Sequence, residues 1–136
     1  MKTPVVFVVD RNPIHRNLLR FNLVAGKFGT VHTFPSGEEC LYRLRKDLRP
    51  DFLVTGLQPG ELGGLDFLRL VLEFSPETQV VFFDHFEDDA VVSRLIEEGA
   101  ADYVARTSEP DAGISLLIKN LRYLATAGEV RAMARG

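Results

Sequence analysis

The feature that most constrains the fold is an alternation of short strand-like segments with segments of helical periodicity. Val5–Val9 is a continuous apolar run, which is typical of a strand buried on both faces of a sheet. Four further short segments that are typical of strands follow at intervals along the chain. The predicted strands are Val5–Val9, Thr30–Phe34, Phe52–Thr55, Val80–Phe83 and Asp102–Ala105.

A helix is predicted after each strand. Asn12 is an expected N-cap before Pro13, and the stretch SGEE at Ser36–Glu39 is an expected capping box. Glu87–Glu98 is a predicted helix with an acidic first turn, and Gly99 ends it. The apolar positions that mark the other helix faces are Ile14, Leu18, Phe21, Leu41, Leu44, Leu65, Leu68, Leu72, Ile114, Leu117, Leu121 and Leu124.

Strands separated by helices of this length pair in parallel through right-handed crossovers, with helices on both faces of the sheet. The predicted class is therefore a doubly wound, three-layer α/β/α domain. In such sheets the site lies beyond the carboxyl ends of the strands. The candidate residues at those ends are Asp10, Arg11, Gly56, Asp84, His85, Arg106 and Thr107.

Composition narrows the functional class. The 136 residues suffice for one domain with a core, and a net charge of −3 disfavours nucleic-acid binding by this domain. One cysteine, Cys40, excludes an internal disulfide and is expected to be a small core residue. We find neither a membrane-length apolar run nor a signal-peptide pattern, and we predict a cytoplasmic protein without membrane contact.

Four segments resemble the response-regulator receiver family of CheY-like domains. They are VVFVVDRN, PDFLVTGLQPGELGGLDFL, QVVFFDHFEDD and EEGAADYVART. The resemblance runs from about Val5 to Leu124 and implies a flavodoxin-like parallel sheet of strand order 2-1-3-4-5. We assign the receiver-like domain to residues 1–126. Residues 127–136 are a tail: a frayed end, a short helix, or the start of a linker to an output domain.

The resemblance also implies a chemistry. In active receivers two acids after the first strand bind Mg²⁺, and an Asp after the third strand accepts a phosphoryl group from a histidine kinase. A hydroxyl after the fourth strand and a Lys–Pro pair after the fifth complete the site. The acceptor must be a nucleophilic carboxylate, and Mg²⁺ prefers hard oxygen ligands. A cation stabilises the negative charge that develops on the phosphoryl oxygens.

Carried over position by position, this set departs from the family pattern. Asp10 matches the first acid, but Arg11 stands at the second and Gly56 at the acceptor. Asp84 stands at the hydroxyl, Arg106 at the lysine and Thr107 at the proline. A register shifted by one residue would make Thr55 the acceptor, and neither register supplies a carboxylate. Without proline, the peptide bond after Arg106 is expected to be trans.

We therefore predict a pseudo-receiver that signals by phosphorylation-independent protein contact, in a bacterial two-component system or transcriptional regulator. The altered pocket is either neutral decay or a rebuilt site in which Arg11 and Arg106 pair with Asp10 and Asp84. A small-ligand or anion sensor is the alternative function. We predict no enzyme activity, no catalytic residue, no cofactor and no metal, since His15, His32 and His85 lack metal-ligand spacing.

An interaction surface is predicted on the fourth helix, the fifth strand and the last helix. Val91, Val92, Leu95 and Ile96 form a wide apolar stripe, and either all four are core residues or some join Tyr103 in a binding surface. We assign Val92, Ile96 and Tyr103 to that surface, with a protein as the partner: a second copy of the chain or an output domain. Tyr103 is expected to be fixed rather than to switch between positions.

Overall fold

The computed structural model describes residues 3–45, 48–85 and 88–135. Ten elements alternate along the chain, strand before helix, as the sequence predicts. The strands are β1 (Val5–Val9), β2 (Thr30–Phe34), β3 (Phe52–Thr55), β4 (Gln79–Asp84) and β5 (Asp102–Ala105). The helices are α1 (Pro13–Ala25), α2 (Gly37–Leu44), α3 (Gly64–Phe74), α4 (Asp89–Glu97) and α5 (Pro110–Arg135).

All five strands are parallel and lie in the order β2-β1-β3-β4-β5, so the predicted flavodoxin-like sheet is confirmed. Side chains of a strand alternate between the faces of a sheet, and β1 shows this directly. Val6 and Val8 pack with one helix layer, whereas Phe7 and Val9 pack with the other. The first layer is formed by α1 and α5 and the second by α2, α3 and α4.

The face of α1 differs from the prediction. Leu19 and Leu23 are the buried residues of this helix, and Leu18 is partly buried against the same core. Ile14 and Phe21, which were expected to face inward, are 74% and 69% exposed. The helix face that packs on the sheet is the one that carries Leu19 and Leu23. A helix with apolar residues on several sides is oriented by its packing partners rather than by its own periodicity.

The predicted helix starts are largely confirmed. The Asn12 side chain accepts hydrogen bonds from the backbone N–H groups of Ile14 and His15, and Ser36 accepts one from Glu39. α4 begins at Asp89 rather than at Glu87, with Asp88 as its N-cap. Glu87 itself lies outside the described residues.

The last helix is longer than the core requires. α5 runs without a break from Pro110 to Arg135, across the boundary predicted between residues 126 and 127. The described part of the predicted tail is therefore helical, and its assignment as a separate segment stays a prediction. Among the described residues, no helix combines the length and apolarity that a membrane crossing requires.

Candidate functional site at the carboxyl ends of the strands

The carboxyl ends of β1, β3, β4 and β5 surround a polar pocket of about 220 Å³. Five of the six predicted pocket residues line it: Asp10, Arg11, Gly56, Asp84 and Arg106. Thr107, the sixth, lines an adjoining crevice instead. The fold thus brings together residues that are up to 96 positions apart in the sequence.

The side of the pocket at β1 and β5 is held by charge. Arg106 Nη2 lies 3.2 Å from Asp10 Oδ2, and the side chains are only 18% and 14% exposed. The other terminal nitrogen, Nη1, lies 2.6 Å from His15 Nδ1, and the guanidinium carbon stands 4.7 Å above the Phe83 ring centre. Asp10 Oδ1 accepts a hydrogen bond from the backbone N–H of Asn12. Arg106 is therefore fixed by three neighbours at once.

The side of the pocket at β3 and β4 is held by hydrogen bonds to the backbone. Asp84 Oδ2 accepts from the N–H of Leu57, and Oδ1 accepts from the N–H of His85, both at 2.7 Å. A Cβ atom placed on Gly56 would lie 2.9 Å from Asp84 Oδ2. The carboxylate of Asp84 therefore occupies the space that a side chain at position 56 would need.

Of the two predicted arginine–aspartate pairs, the structure forms one. Asp10 pairs with Arg106, whereas Asp84 is engaged by backbone donors. Arg11 is exposed and makes no ion pair with the part of the chain that the structure describes. The expectation that Arg11 balances a carboxylate in this pocket is therefore not met in the structure.

His15 is the residue that the sequence-based reasoning missed. The sequence excluded His15 as a metal ligand and did not place it among the pocket residues, yet its ring nitrogen contacts Arg106. The signal available in the sequence was its place in the first turn of α1, immediately after the strand end that carries Asp10. Helix phase, which decides whether such a residue faces the sheet edge, was the missing information.

The residues present do not fit the Mg²⁺ ion that the family resemblance implies. The carboxylates that line the pocket are Asp10 and Asp84, and each of their four oxygens already faces a donor: Asp10 Oδ2 faces Arg106, and the other three accept backbone N–H groups. Mg²⁺ requires oxygen ligands in near-octahedral geometry. Within residues 3–45, 48–85 and 88–135, no group of three His, Cys, Asp or Glu side chains is placed to hold a metal ion.

The predicted interaction surface is partly exposed. Leu95 is 4% exposed and belongs to the core, whereas Ile96 is 44% exposed and Val92 is half-buried. The Tyr103 hydroxyl donates a hydrogen bond to the carbonyl of His85 at 2.6 Å, and its ring stacks on Phe82. These contacts are those expected of a fixed Tyr103, and its lack of switching stays a prediction. Whether the surface binds a partner stays a prediction.

Two smaller expectations are confirmed. The peptide bond between Arg106 and Thr107 is trans. Cys40 is fully buried, and burial raises the pKa of its thiol to about 12, so that it acts as an apolar core residue rather than as a nucleophile.

Comparisons with known proteins agree with this geometry. A model of the response regulator receiver domain matches residues 6–118. The response regulator GacA of Pseudomonas aeruginosa is 31% identical over 118 residues, which cover 87% of this chain and 53% of GacA. A protein-glutamate methylesterase/protein-glutamine glutaminase of Geobacter sulfurreducens is 36% identical over 86 residues, which cover 63% of this chain and 22% of that protein. This chain thus spans about half of the regulator and under a quarter of the methylesterase.

A solved structure gives the same result in three dimensions. The BeF3-activated DrrB receiver domain superposes with a TM-score of 0.71 at 25% identity, covering 89% of this chain and 99% of DrrB. The chain therefore belongs to the response regulator receiver domain family.

Proposed function

We propose that this receiver domain signals without phosphorylation of an aspartate, through contacts with a protein partner. It would be the regulatory domain of a bacterial two-component or transcriptional regulator in the cytoplasm, and it would not be an enzyme. The single observation that carries the proposal is the position of Asp84, whose carboxylate lies 2.9 Å from the place of a Cβ atom on Gly56. An acceptor side chain at position 56 would have to displace the Asp84 carboxylate from its two backbone hydrogen bonds.

The absence of a usable nucleophile supports the proposal. Gly56 offers no side chain, and the hydroxyl of the preceding Thr55 is buried and donates to the Gly56 carbonyl. Asp84, the carboxylate nearest to Gly56, is held by two backbone N–H groups. A carboxylate that accepts two such bonds is a poor nucleophile, because attack would require it to release them.

The pairing of charged side chains in the pocket also supports the proposal. Transfer of a phosphoryl group requires cations to neutralise the developing negative charge. Arg106 stands at the position of the family lysine, but it is already paired with Asp10 and in contact with His15. The pair with Asp10 offsets part of the charge of Arg106, so that a phosphoryl group would gain less from this arginine than from an unpaired cation.

The test is to restore the nucleophile alone. Gly56→Asp, incubated with Mg²⁺ and a phosphoramidate donor, is expected to show no phosphate adduct by intact-mass spectrometry. The new carboxylate would meet Asp84, and like charges at that distance repel. The triple variant Gly56→Asp, Arg11→Asp, Asp84→Thr is expected to accept phosphate, since it rebuilds the acid pair and removes the obstacle.

The matched control is the double variant Arg11→Asp, Asp84→Thr, which keeps Gly56 and is expected to remain unmodified. A stoichiometric aspartyl-phosphate on the wild-type chain would overturn the proposal. A strong adduct on Gly56→Asp alone would show that Asp84 does not close the pocket. In that case the wild type would lack only its nucleophile, and the rebuilt-pocket interpretation would lose its basis.

We propose that partner contacts involve α4 and β5, through Val92, Ile96 and Tyr103. The support is the exposure of Ile96, at 44%, beside a half-buried Val92. Ile96→Glu should abolish a self-association measured by sedimentation, or the capture of an output domain. Val24→Glu on α1 is the matched control, since Val24 is 49% exposed in a different helix layer. Equal effects of the two substitutions would contradict this assignment.

The alternative, a small ligand in the pocket above Gly56, has weaker support. Asp10 and Asp84 line that pocket together with Arg11 and Arg106, so that an anion would meet two carboxylates. A thermal-shift screen of polar metabolites, repeated with Arg11→Gln, distinguishes this function from the first.

A further inference from the structure

A second cavity lies next to the pocket above Gly56, on the other side of Arg106. It is a crevice of about 350 Å³ between the start of α1 and the loop that joins β5 to α5. Small-molecule sites in proteins begin at about this volume. His15, His85, Phe83 and Arg106 line both cavities and form the wall between them.

The crevice differs from the pocket in chemistry. Its floor is apolar, formed in part by Leu19, Phe83 and Ile114, which are 2%, 3% and 4% exposed. Its polar side chains are cationic, imidazole or hydroxyl groups, and among the described residues that line it there is neither an Asp nor a Glu. An apolar cavity with few convergent polar groups is the usual form of a small-ligand site.

Arg106 is the group that gives the crevice a charge preference. A guanidinium has five N–H donors, and the structure pairs Nη1 with His15 and Nη2 with Asp10. Its Nε–H is buried and has no hydrogen-bond partner in the part of the chain that the structure describes. Because almost none of its surface is accessible, Nε itself is out of reach of a ligand, and the donors that remain are the second N–H groups of Nη1 and Nη2. The planar fork of arginine suits a carboxylate.

Ile14 gives a second reason to expect an apolar occupant. It stands at the edge of the crevice, where its side chain is 74% exposed on the first turn of α1. An isolated exposed isoleucine requires no explanation by itself. Here, as a lining residue of the crevice, it adds exposed apolar surface to the buried floor.

We propose that the crevice binds a small amphipathic carboxylate. Its carboxylate group would accept hydrogen bonds from Arg106, and its apolar body would lie on Leu19, Phe83 and Ile114 and under Ile14. A single negative charge is preferred, because Asp10 already offsets part of the charge of Arg106. The inference does not rest on the loss of phosphorylation, since none of these contacts involves Gly56.

The experiment uses 3-phenylpropionate and its uncharged analogue 3-phenylpropan-1-ol with the full 136-residue chain at neutral pH. Binding is followed through the backbone amide resonances in two-dimensional NMR. The acid is expected to bind about tenfold more tightly than the alcohol, as one charge-assisted hydrogen bond would give. The amides that shift should be those of Ile14, Leu18, Ser108 and Ile114.

Two pairs of variants test whether Arg106 binds the carboxylate group of the ligand. Arg106→Gln should remove the preference for the acid, whereas Arg11→Gln, which changes an exposed arginine of the other pocket, should leave it intact. Since Arg106→Gln also breaks the pair with Asp10, a second test avoids the pocket altogether. Ile14→Glu should weaken acid binding about threefold relative to Ile14→Gln, a change of the size that one exposed like charge produces. Alcohol binding should be equal in these two variants.

Three results would overturn the proposal. The first is an absence of binding by either compound up to its solubility limit. The second is equal affinity for the acid and the alcohol. The third is a set of shifts centred on Asp10, Gly56 and Gln58, or loss of the acid preference in Arg11→Gln but not in Arg106→Gln, which would place the anion in the other pocket.

Discussion

The two ends of the sheet differ in the chemical groups that make their close contacts. At the amino end, side chains and glycines meet the main chain: Gly29 lies against the Pro4 carbonyl, and the Thr78 hydroxyl donates to the Pro50 carbonyl. At the carboxyl end, the groups that face Gly56 and Arg106 are side-chain carboxylates. Gly56 lies against the carboxylate of Asp84, and Asp10 pairs with Arg106.

This difference decides which end can change. A main-chain carbonyl at the start of a strand cannot move without disturbing the neighbouring strand, whereas a carboxylate can rotate about its side-chain bonds. Substitutions at the carboxyl end therefore alter chemistry at a small cost in stability. Substitutions at the amino end alter stability without creating a site. Four predictions test this contrast.

The largest effect is expected from glycine replacement. Gly29→Ala would drive a Cβ atom into the Pro4 carbonyl oxygen and should lower the free energy of unfolding by about 3 kcal/mol, the upper range for overpacking. Gly56→Ala meets only the Asp84 carboxylate and should cost less than about 1 kcal/mol, since alanine also restricts the unfolded chain. Urea unfolding measures both. Gly128→Ala, in open space on α5, is the control and should be stabilising.

Buried threonines give the second comparison. Thr78→Val removes a hydrogen bond to the Pro50 carbonyl and leaves the Ser75 hydroxyl without its partner, at a cost of about 2 kcal/mol. Thr55→Val at the carboxyl end removes one local bond to Gly56 and should cost about 1 kcal/mol or less. Thr126→Val, on the exposed side of α5, should leave unfolding unchanged. A Thr55 effect as large as that of Thr78 would break the contrast between the two ends.

The charge pair at the carboxyl end is expected to contribute modestly. A double-mutant cycle of Asp10→Asn and Arg106→Gln should give a coupling energy of about 1 kcal/mol, between the values for exposed and buried pairs. Because both side chains are less than a fifth exposed, added salt should change the coupling little. A coupling of zero would mean that His15 and Phe83 hold Arg106 without Asp10.

The smallest effect is expected on the flank of the sheet, where Arg69 of α3 meets Glu98 after α4 at 2.7 Å. The hydrogen bond from Arg69 lowers the pKa of Glu98 below its usual value. The folded state therefore holds this proton less tightly than the unfolded state, so the stabilisation is present at neutral pH and is lost as the pH falls through the lowered pKa. Arg69→Gln should unfold slightly earlier than wild type in urea at pH 7, and the difference should be smaller at pH 3. An equal difference at both pH values would contradict this assignment.

Much of the fold could be predicted from local signals. Asn12, Ser36 and Gly99 ended or began helices where their chemistry predicts, because capping depends on bonds within a few residues. The predicted buried face of α1 was wrong. Ile14 and Phe21 are apolar and regularly spaced, but Leu19 and Leu23 are the residues of this helix that pack on the sheet. Periodicity alone does not decide such a competition.

The site, like the fold, has features that the sequence determines and features that only the tertiary structure decides. The sequence by itself determined which residues reach the carboxyl edge of a parallel sheet, since strand ends and connection lengths are local properties: Asp10, Gly56, Asp84 and Arg106 follow from them. Only the tertiary structure decided their partners. Arg106 pairs with Asp10 and His15 while Arg11 is left to solvent, and the crevice beside Arg106 exists because α1 and the β5–α5 loop approach each other. Partner choice depends on distances across the sheet and on helix phase, and these are set only when the whole core packs.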